Sequence, residues 1–412
     1  MVALKQIESC EVCGQAKLAP VINLGSHPLC DDLVPIGDTR QCELYPIEIL
    51  YCANCRTAHQ RFQIPKEVLF PRTYHYRARL TADVLSGMAV LVSACENQLG
   101  SLAGKNVLDV GCNDGSLLDQ FSQKGTKTFG IEPTGAYNDA LGRGHVLLND
   151  YFSIDTATTF RDQHGCPDVI TFTNVFAHIE NLTELLSAVR ILMAPHTLLV
   201  IENHYLGAVL SQAQFDTFYH EHPRTYSFTS FCAIAESLGA HFKDISFPFR
   251  YGGNVRVMLQ AGRSENPAID AQVQEIQRIE TAFDQKFQVL NKSIGEWKAR
   301  MSDKIRGLVK SYGPLPAKAF PGRAAILAKL LELDEHLISA VYEKPGSPKV
   351  GHFVPGTRIP IRSEVKFFSL PAQPPVLINF AWHIASEIEQ YMRKNGFRGD
   401  ILDIADFNTL GQ

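Results

Sequence analysis

Tyr219-His220-Glu221-His222 places four polar or ionisable side chains in succession, in what reads as a loop. Histidine exchanges protons near neutral pH, and an adjacent carboxylate tunes it. His178 stands in Asn174-Val175-Phe176-Ala177-His178-Ile179, just beyond an apolar strand. Ligand sites in open α/β sheets gather at the carboxyl ends of strands, so Asn174 and His178 point to one crevice. Proton transfer is the chemistry this set suits. Two other readings compete: a metal site built from His220, His222 and Glu221, and histidines that only make structural hydrogen bonds.

A second constellation is made of cysteines. Of ten in the chain, Cys10, Cys13, Cys30, Cys42, Cys52 and Cys55 fall in the first 55 residues. Cys10-x-x-Cys13 and Cys52-x-x-Cys55 each turn two thiolates toward one point. Together they predict a tetrahedral four-thiolate zinc site, closed to water and substrate and therefore structural. The gap between the pairs is longer than in an ordinary zinc ribbon, which leaves Cys30 and Cys42 as alternative ligands and a free or redox pair as the competing reading.

A third is Asp109-Val110-Gly111-Cys112-Asn113-Asp114-Gly115, which follows a strand and opens a helix. Glycine lets a backbone approach a ligand closely. The dinucleotide pattern G-x-G-x-x-G is absent. Glu132 ends the next strand, 23 residues after Asp109, where an acid accepts hydrogen bonds from two ribose hydroxyls. With no pyrophosphate to repel, Asp109 and Asp114 suit the sulfonium and ammonium of S-adenosylmethionine. Asp150, in Asn149-Asp150-Tyr151-Phe152, falls where adenine would lie. An ordinary glycine turn is the alternative.

These groups need a scaffold. Alternating elements predict α/β architecture with a parallel sheet: strands at Val107–Val110, Thr128–Glu132, Val146–Leu148, Pro167–Phe172 and Thr197–Glu202, and helices at Arg77–Leu99, Gly115–Gln123, Leu182–Leu192 and Phe228–Leu238. Apolar residues at three- and four-residue steps from Ile269 to Leu308 predict one helix on the order of 60 Å long, bounded by Pro267 and Gly313-Pro314. Four parts follow: residues 1–75, a zinc-binding domain; 76–265, a Rossmann-like cofactor domain; 266–312, the linking helix; and 313–412, a carboxyl-terminal α/β domain. Hydrophobic residues make up 45% and charged residues 20%, with a net charge of −4. That balance argues against a nucleic-acid-binding protein, and no apolar run is long enough for a membrane span. The start of the chain lacks a secretory h-region, so a cytoplasmic protein, a monomer or small homo-oligomer, is expected.

Over nearly its whole length the chain resembles the nucleotide-sugar C-methyltransferases that act on deoxyketosugars. The resemblance rests on the paired knuckles, the Asp109–Gly115 loop, Gly130-Ile131-Glu132-Pro133, the Asn174–Ile179 segment, the Tyr219–His222 tetrad and Tyr251-Gly252-Gly253-Asn254-Val255-Arg256. It implies S-adenosylmethionine and structural zinc as cofactors, and a nucleotide-linked 4-keto-6-deoxy sugar methylated at C-3. It makes His222 the general base, with Glu221 and Tyr219 tuning it and His178 bonding the keto or enolate oxygen. It makes Asp109, Gly111, Asn113, Asp114, Gly115, Glu132, Pro133, Asp150 and Asn174 cofactor contacts. Tyr74 and Tyr76 match a tyrosine pair that closes over the sugar. The last domain lacks the family's Gly-rich, Asn-containing turn, and offers Lys318 and Arg323 to a pyrophosphate. Methylation of oxygen or nitrogen is the alternative activity, and a zinc-ribbon interaction protein with an inactive core is a third reading.

Overall fold

The computed structural model describes residues 3–72, 76–80, 82–264 and 266–405. Two compact units emerge. The first holds residues 1–20, 49–209 and 221–284; the second holds 21–48, 210–220 and 285–412. Residues 21–48 thus leave the cysteine-rich segment and fold within the second unit.

The first unit is built on a seven-stranded sheet. Its strands are β1 (Asn106–Val110), β2 (Lys127–Ile131), β3 (Val146–Leu148), β4 (Val169–Thr173), β5 (Leu198–His204), β6 (Ala240–Ser246) and β7 (Asn254–Ala261), in spatial order 6-7-5-4-1-2-3. Successive side chains face opposite ways along a strand. Accordingly Leu199 and Ile201 enter one core with Phe172 and Phe231, whereas Leu198 and Val200 enter another with Leu91, Leu117 and Phe121. Helices Ser116–Ser122, Leu182–Leu192 and Phe228–Leu238 lie close to their expected positions. Helix Ile154–His164 had no strong apolar period to announce it; Ser153 starts it by accepting from the Thr156 N–H.

The sheet departs from the expected all-parallel form at one edge. β7 runs antiparallel to both β5 and β6. Only residues 247–253 join β6 to β7, too few for the crossover a parallel pair needs.

The long helix is also interrupted. Helices Pro267–Glu280 and Phe283–Tyr312 replace the single expected helix. At the break Thr281 N–H bonds the Arg278 carbonyl, and Ala282 N–H bonds that of Ile279, a tighter i to i+3 pattern. The buried Glu280 beside it accepts from the Phe228 and Thr229 N–H groups at 2.7 and 2.8 Å. This carboxylate satisfies orphan donors at the start of helix Phe228–Leu238, work that apolar periodicity does not reveal.

The second unit carries a five-stranded parallel sheet. Its strands are β8 (Leu315–Lys318), β9 (Ile338–Glu343), β10 (Ile361–Ser363), β11 (Val376–Asn379) and β12 (Asp400–Asp403), in order 10-9-8-11-12. Winding therefore reverses between β8 and β11. Tyr342, Phe367, Leu377, Met392 and Phe397 form its core. Trp297, fully buried, donates to the Ile404 carbonyl at 2.9 Å.

Candidate functional site

The cysteine pairs meet. Cys10 Sγ lies 3.4 Å from Cys55 Sγ, and Cys13 Sγ 3.6 Å from Cys52 Sγ. All four sulfurs fall within 4.8 Å of one another. A tetrahedral ion with bonds near 2.3 Å needs sulfurs about 3.8 Å apart, so this donor set fits zinc. Each knuckle closes alike: Gly14 N–H bonds the Cys10 carbonyl and Arg56 N–H that of Cys52, with both closing residues left-handed, at φ 75° and 61°. Thr57 Oγ1 and His59 Nε2 stand 3.0 and 3.3 Å from Cys55 and Cys10 Sγ. Cys42 is not a ligand; its thiol donates to the Asp32 carbonyl.

The glycine loop forms a strained, preorganised cradle at the end of β1. Gly111, Asn113 and Gly115 all have positive φ. A Cβ on Gly111 would come within 2.4 Å of Val175 Cγ2, so only glycine fits there. Glu132 accepts from Asn113 N–H at 2.9 Å and Thr134 N–H at 2.8 Å, which fixes its carboxylate next to the loop, and Pro133 follows it. Asn149 Nδ2 donates to the Glu132 carbonyl, whereas Asp150 accepts from the Tyr151 N–H. Asn113 also accepts from the Ala78 N–H and donates to the Tyr76 carbonyl. Tyr76 is exposed; Tyr74 lies outside the described residues.

The two loop acids differ. Asp114, fully buried, accepts from the Arg79 N–H and from both the N–H and hydroxyl of Ser116. These bonds fix its carboxylate where the loop turns into the helix. Asp109 accepts from Thr171 Oγ1 at 2.7 Å, and burial pushes its pKa up to about 7. Because the folded protein keeps this proton longer than the unfolded chain, its stabilisation is complete below the ordinary value of 3.8 and lost as pH rises through about 7. Asp109→Asn should therefore gain melting temperature relative to the native protein as pH climbs across that window. A difference that stays flat with pH would refute this.

The histidines converge at the same edge of the first sheet. His178 follows β4 and His204 ends β5. His222 lies between them, its ring centroid 4.8 Å from that of His178 and 5.3 Å from that of His204. Phe70 packs edge-on against His178. His178 Nδ1 donates to the Glu221 carbonyl at 2.7 Å, and burial lowers its pKa to about 4. The ring is therefore neutral with its proton on Nδ1, and Nε2 carries a lone pair. A donor role for His178 toward an enolate oxygen is not what this tautomer provides. His204 stands apart from any motif, behind the apolar run Leu198–Ile201 and the polar Glu202 and Asn203; its place at a strand end was the available signal. In the second unit His220 Nε2 donates to the Tyr45 carbonyl at 3.0 Å, and Tyr219 is partly exposed. Among the described residues only the four cysteines group as metal ligands, so nothing supports a second metal at the tetrad.

Asn174 sits at φ 53°, its N–H on the Glu202 carbonyl and its Oδ1 accepting from Asn254. Glu202, fully buried, binds Arg250 and Arg256, a pair of ionic contacts that sequence reading did not foresee. Arg250 reaches it past Gly87, where a Cβ would lie 2.1 Å from the arginine Cδ.

In the second unit Lys318 ends β8, at the point where winding reverses and open α/β sheets take ligands. Its ammonium is buried against Glu364 at 2.7 Å. Arg323 pairs with Asp216, which also accepts from Trp382 Nε1 at 2.9 Å. Both cations offered to a pyrophosphate already hold a carboxylate.

Comparison with known proteins follows this layout. Residues 10–70 match a zinc binding domain, 77–242 a methyltransferase domain, and 250–400 a C-methyltransferase C-terminal domain. The chain is 28% identical over 406 residues to the C-methyltransferase NovU of Streptomyces niveus, covering 96% of this chain and 95% of that protein. Three successive family matches thus span the zinc-binding, methyltransferase and C-methyltransferase parts of this chain. It is an S-adenosylmethionine-dependent methyltransferase with a structural zinc site. A shorter likeness, 30% over 105 residues, joins it to a ubiquinone biosynthesis O-methyltransferase of Acinetobacter baumannii, covering 24% of this chain and 44% of that one. Among solved structures, the PH0226 protein of Pyrococcus horikoshii OT3 is similar at TM-score 0.37 and 13% identity, over 47% of this chain and 97% of that one. The magnesium protoporphyrin IX methyltransferase of Synechocystis PCC 6803 is similar at TM-score 0.35 and 14% identity, over 45% and 85%. In this C-methyltransferase no described helix is long and apolar enough to cross a membrane.

Proposed function

We propose that this C-methyltransferase acts on C-3 of a nucleotide-diphosphate-linked 4-keto-6-deoxy sugar. The observation that carries the reading is the packing of His222 against a neutral His178 at the sheet edge that bears the glycine cradle. A sugar carbon is no nucleophile until it loses a proton, and a 4-keto group acidifies the proton on C-3. His222 takes that proton. The neutral His178, held by the Glu221 carbonyl, offers a lone pair that stabilises His222 once it is charged. S-adenosylmethionine, when bound, supplies the electrophilic methyl that the carbon takes up as the S–C bond breaks. Asp109, Gly111, Asn113, Glu132 and Asn174 would hold it, with Pro133 and Asp150 along the ribose and adenine. The family resemblance gives Glu221 and Tyr219 to tuning the base, and Tyr74 and Tyr76 to covering the sugar. Lys318 and Arg323, with their carboxylate partners, line the winding reversal where the nucleotide is expected.

The decisive test needs no methyl transfer. Incubated in heavy water with S-adenosylhomocysteine, the native protein should place deuterium at C-3 of a thymidine- or guanosine-diphosphate 4-keto-6-deoxy sugar. Turnover of either sugar with no exchange at carbon would sink the reading and favour methylation of oxygen.

A further inference from the structure

Arg224 is fully buried, and its guanidinium reaches four acceptors. Nε donates to Tyr226 Oη at 2.9 Å. One terminal nitrogen donates to Glu11 Oε2 at 2.5 Å and the Glu180 carbonyl at 3.1 Å; the other donates to the Ile179 carbonyl. These acceptors come from two places of consequence. Glu11 lies inside the first knuckle, between Cys10 and Cys13, where Lys5 and Gln63 also bind it. Ile179 and Glu180 directly follow His178, and Arg224 itself is two residues beyond His222.

We infer that Arg224 is a positioning residue that transmits the geometry of the zinc knuckle to the His178–His222 pair. Segment 178–180 is stitched to segment 221–224 at both ends, by His178 Nδ1 on the Glu221 carbonyl and by Arg224 on the next two carbonyls. A planar guanidinium fixes the direction of every bond it makes, which a lysine ammonium cannot do. Glu11 locks that plane, and the cysteine turn locks Glu11. A second link runs in parallel. Strand Arg224–Thr225 pairs with strand Ala58–Gln60, setting Arg224 opposite His59, whose ring contacts Cys10 Sγ. The metal thus shapes the base from a distance while touching no substrate.

The kinetic part of this inference rests on the proposed role of His222; the spectroscopic part does not. Glu11→Gln and Arg224→Lys, made in the full chain, should keep one zinc per chain and near-native affinity for S-adenosylhomocysteine. The ring nitrogen resonances of His178 and His222 should move in both, and removing zinc from the native protein should move the same signals. kcat should fall about tenfold in Glu11→Gln and on the order of 100-fold in Arg224→Lys, with KM little changed and the pH profile of kcat displaced. Conserved histidine resonances and an unaltered pH profile in zinc-loaded Glu11→Gln overturn the inference, even if Arg224→Lys does not fold. Shifted resonances in a protein that never exchanges the C-3 proton, native form included, leave the coupling standing and remove the sugar-carbon reading instead.

Discussion

His222→Gln should lose between about 10²- and 10⁴-fold in kcat, the range for removing a general base. It should lose deuterium incorporation at C-3 in the same proportion, because both measure one proton abstraction. Glutamine keeps much of the size and some of the hydrogen-bonding capacity of histidine but takes no proton. S-adenosylhomocysteine affinity should be unaffected, since the cradle residues are held by one another and by neighbouring strands: Glu132 by Asn113 and Thr134, Asp109 by Thr171. Near-native turnover in this variant would exclude His222 as the base. Loss of turnover with exchange retained would place the histidine in methyl transfer rather than in deprotonation.

Removing zinc should have the largest effect on stability. The apolar cluster at the cysteines consists of Cys10, Cys52 and Cys55 with small neighbours such as Val12, Leu18 and Ala233. Few large side chains are present to hold the knuckles if the ion leaves. Structural zinc contributes about 10–16 kcal/mol of apparent binding energy in small peptides, part of which here is shared with the rest of the first unit. Chelation, or Cys52→Ser, should lower the melting temperature well beyond the effect of an ordinary surface substitution and abolish turnover. Zinc measured at one ion per folded chain should fall in step. A chelated protein with native melting temperature and native turnover would contradict a structural role for the metal.

How much of this was legible beforehand depended on the range of the forces involved. The knuckles, the glycine cradle and the core strands are local patterns: two cysteines three apart, an apolar run before a glycine, a second apolar run along β5. Each appeared where its residues said. What escaped was set by distant partners. Glu280 sits in a helix whose apolar stripe continues past it, yet its burial against residues 228 and 229 coincides with the break. Arg224 is held by Glu11, 213 residues earlier, a partner that no local pattern announces. Asp114 carries the charge expected of a ligand contact, and its bonds to Ser116 and Arg79 were not legible beside that charge. Residues 247–253 dictated a reversed strand through brevity alone, a signal of length rather than of composition.

The matching left-handed closures of the two knuckles carry a consequence for how the chain assembles. Each Cys-x-x-Cys turn closes on itself through a bond between near neighbours, so neither turn needs the other for its own closure. Thirty-eight residues separate Cys13 from Cys52. Bringing such distant ends together costs entropy that a four-residue turn does not incur. An ion held by all four thiolates would tie the two turns together and so restrict the freedom that residues 14–51 have in the unfolded chain.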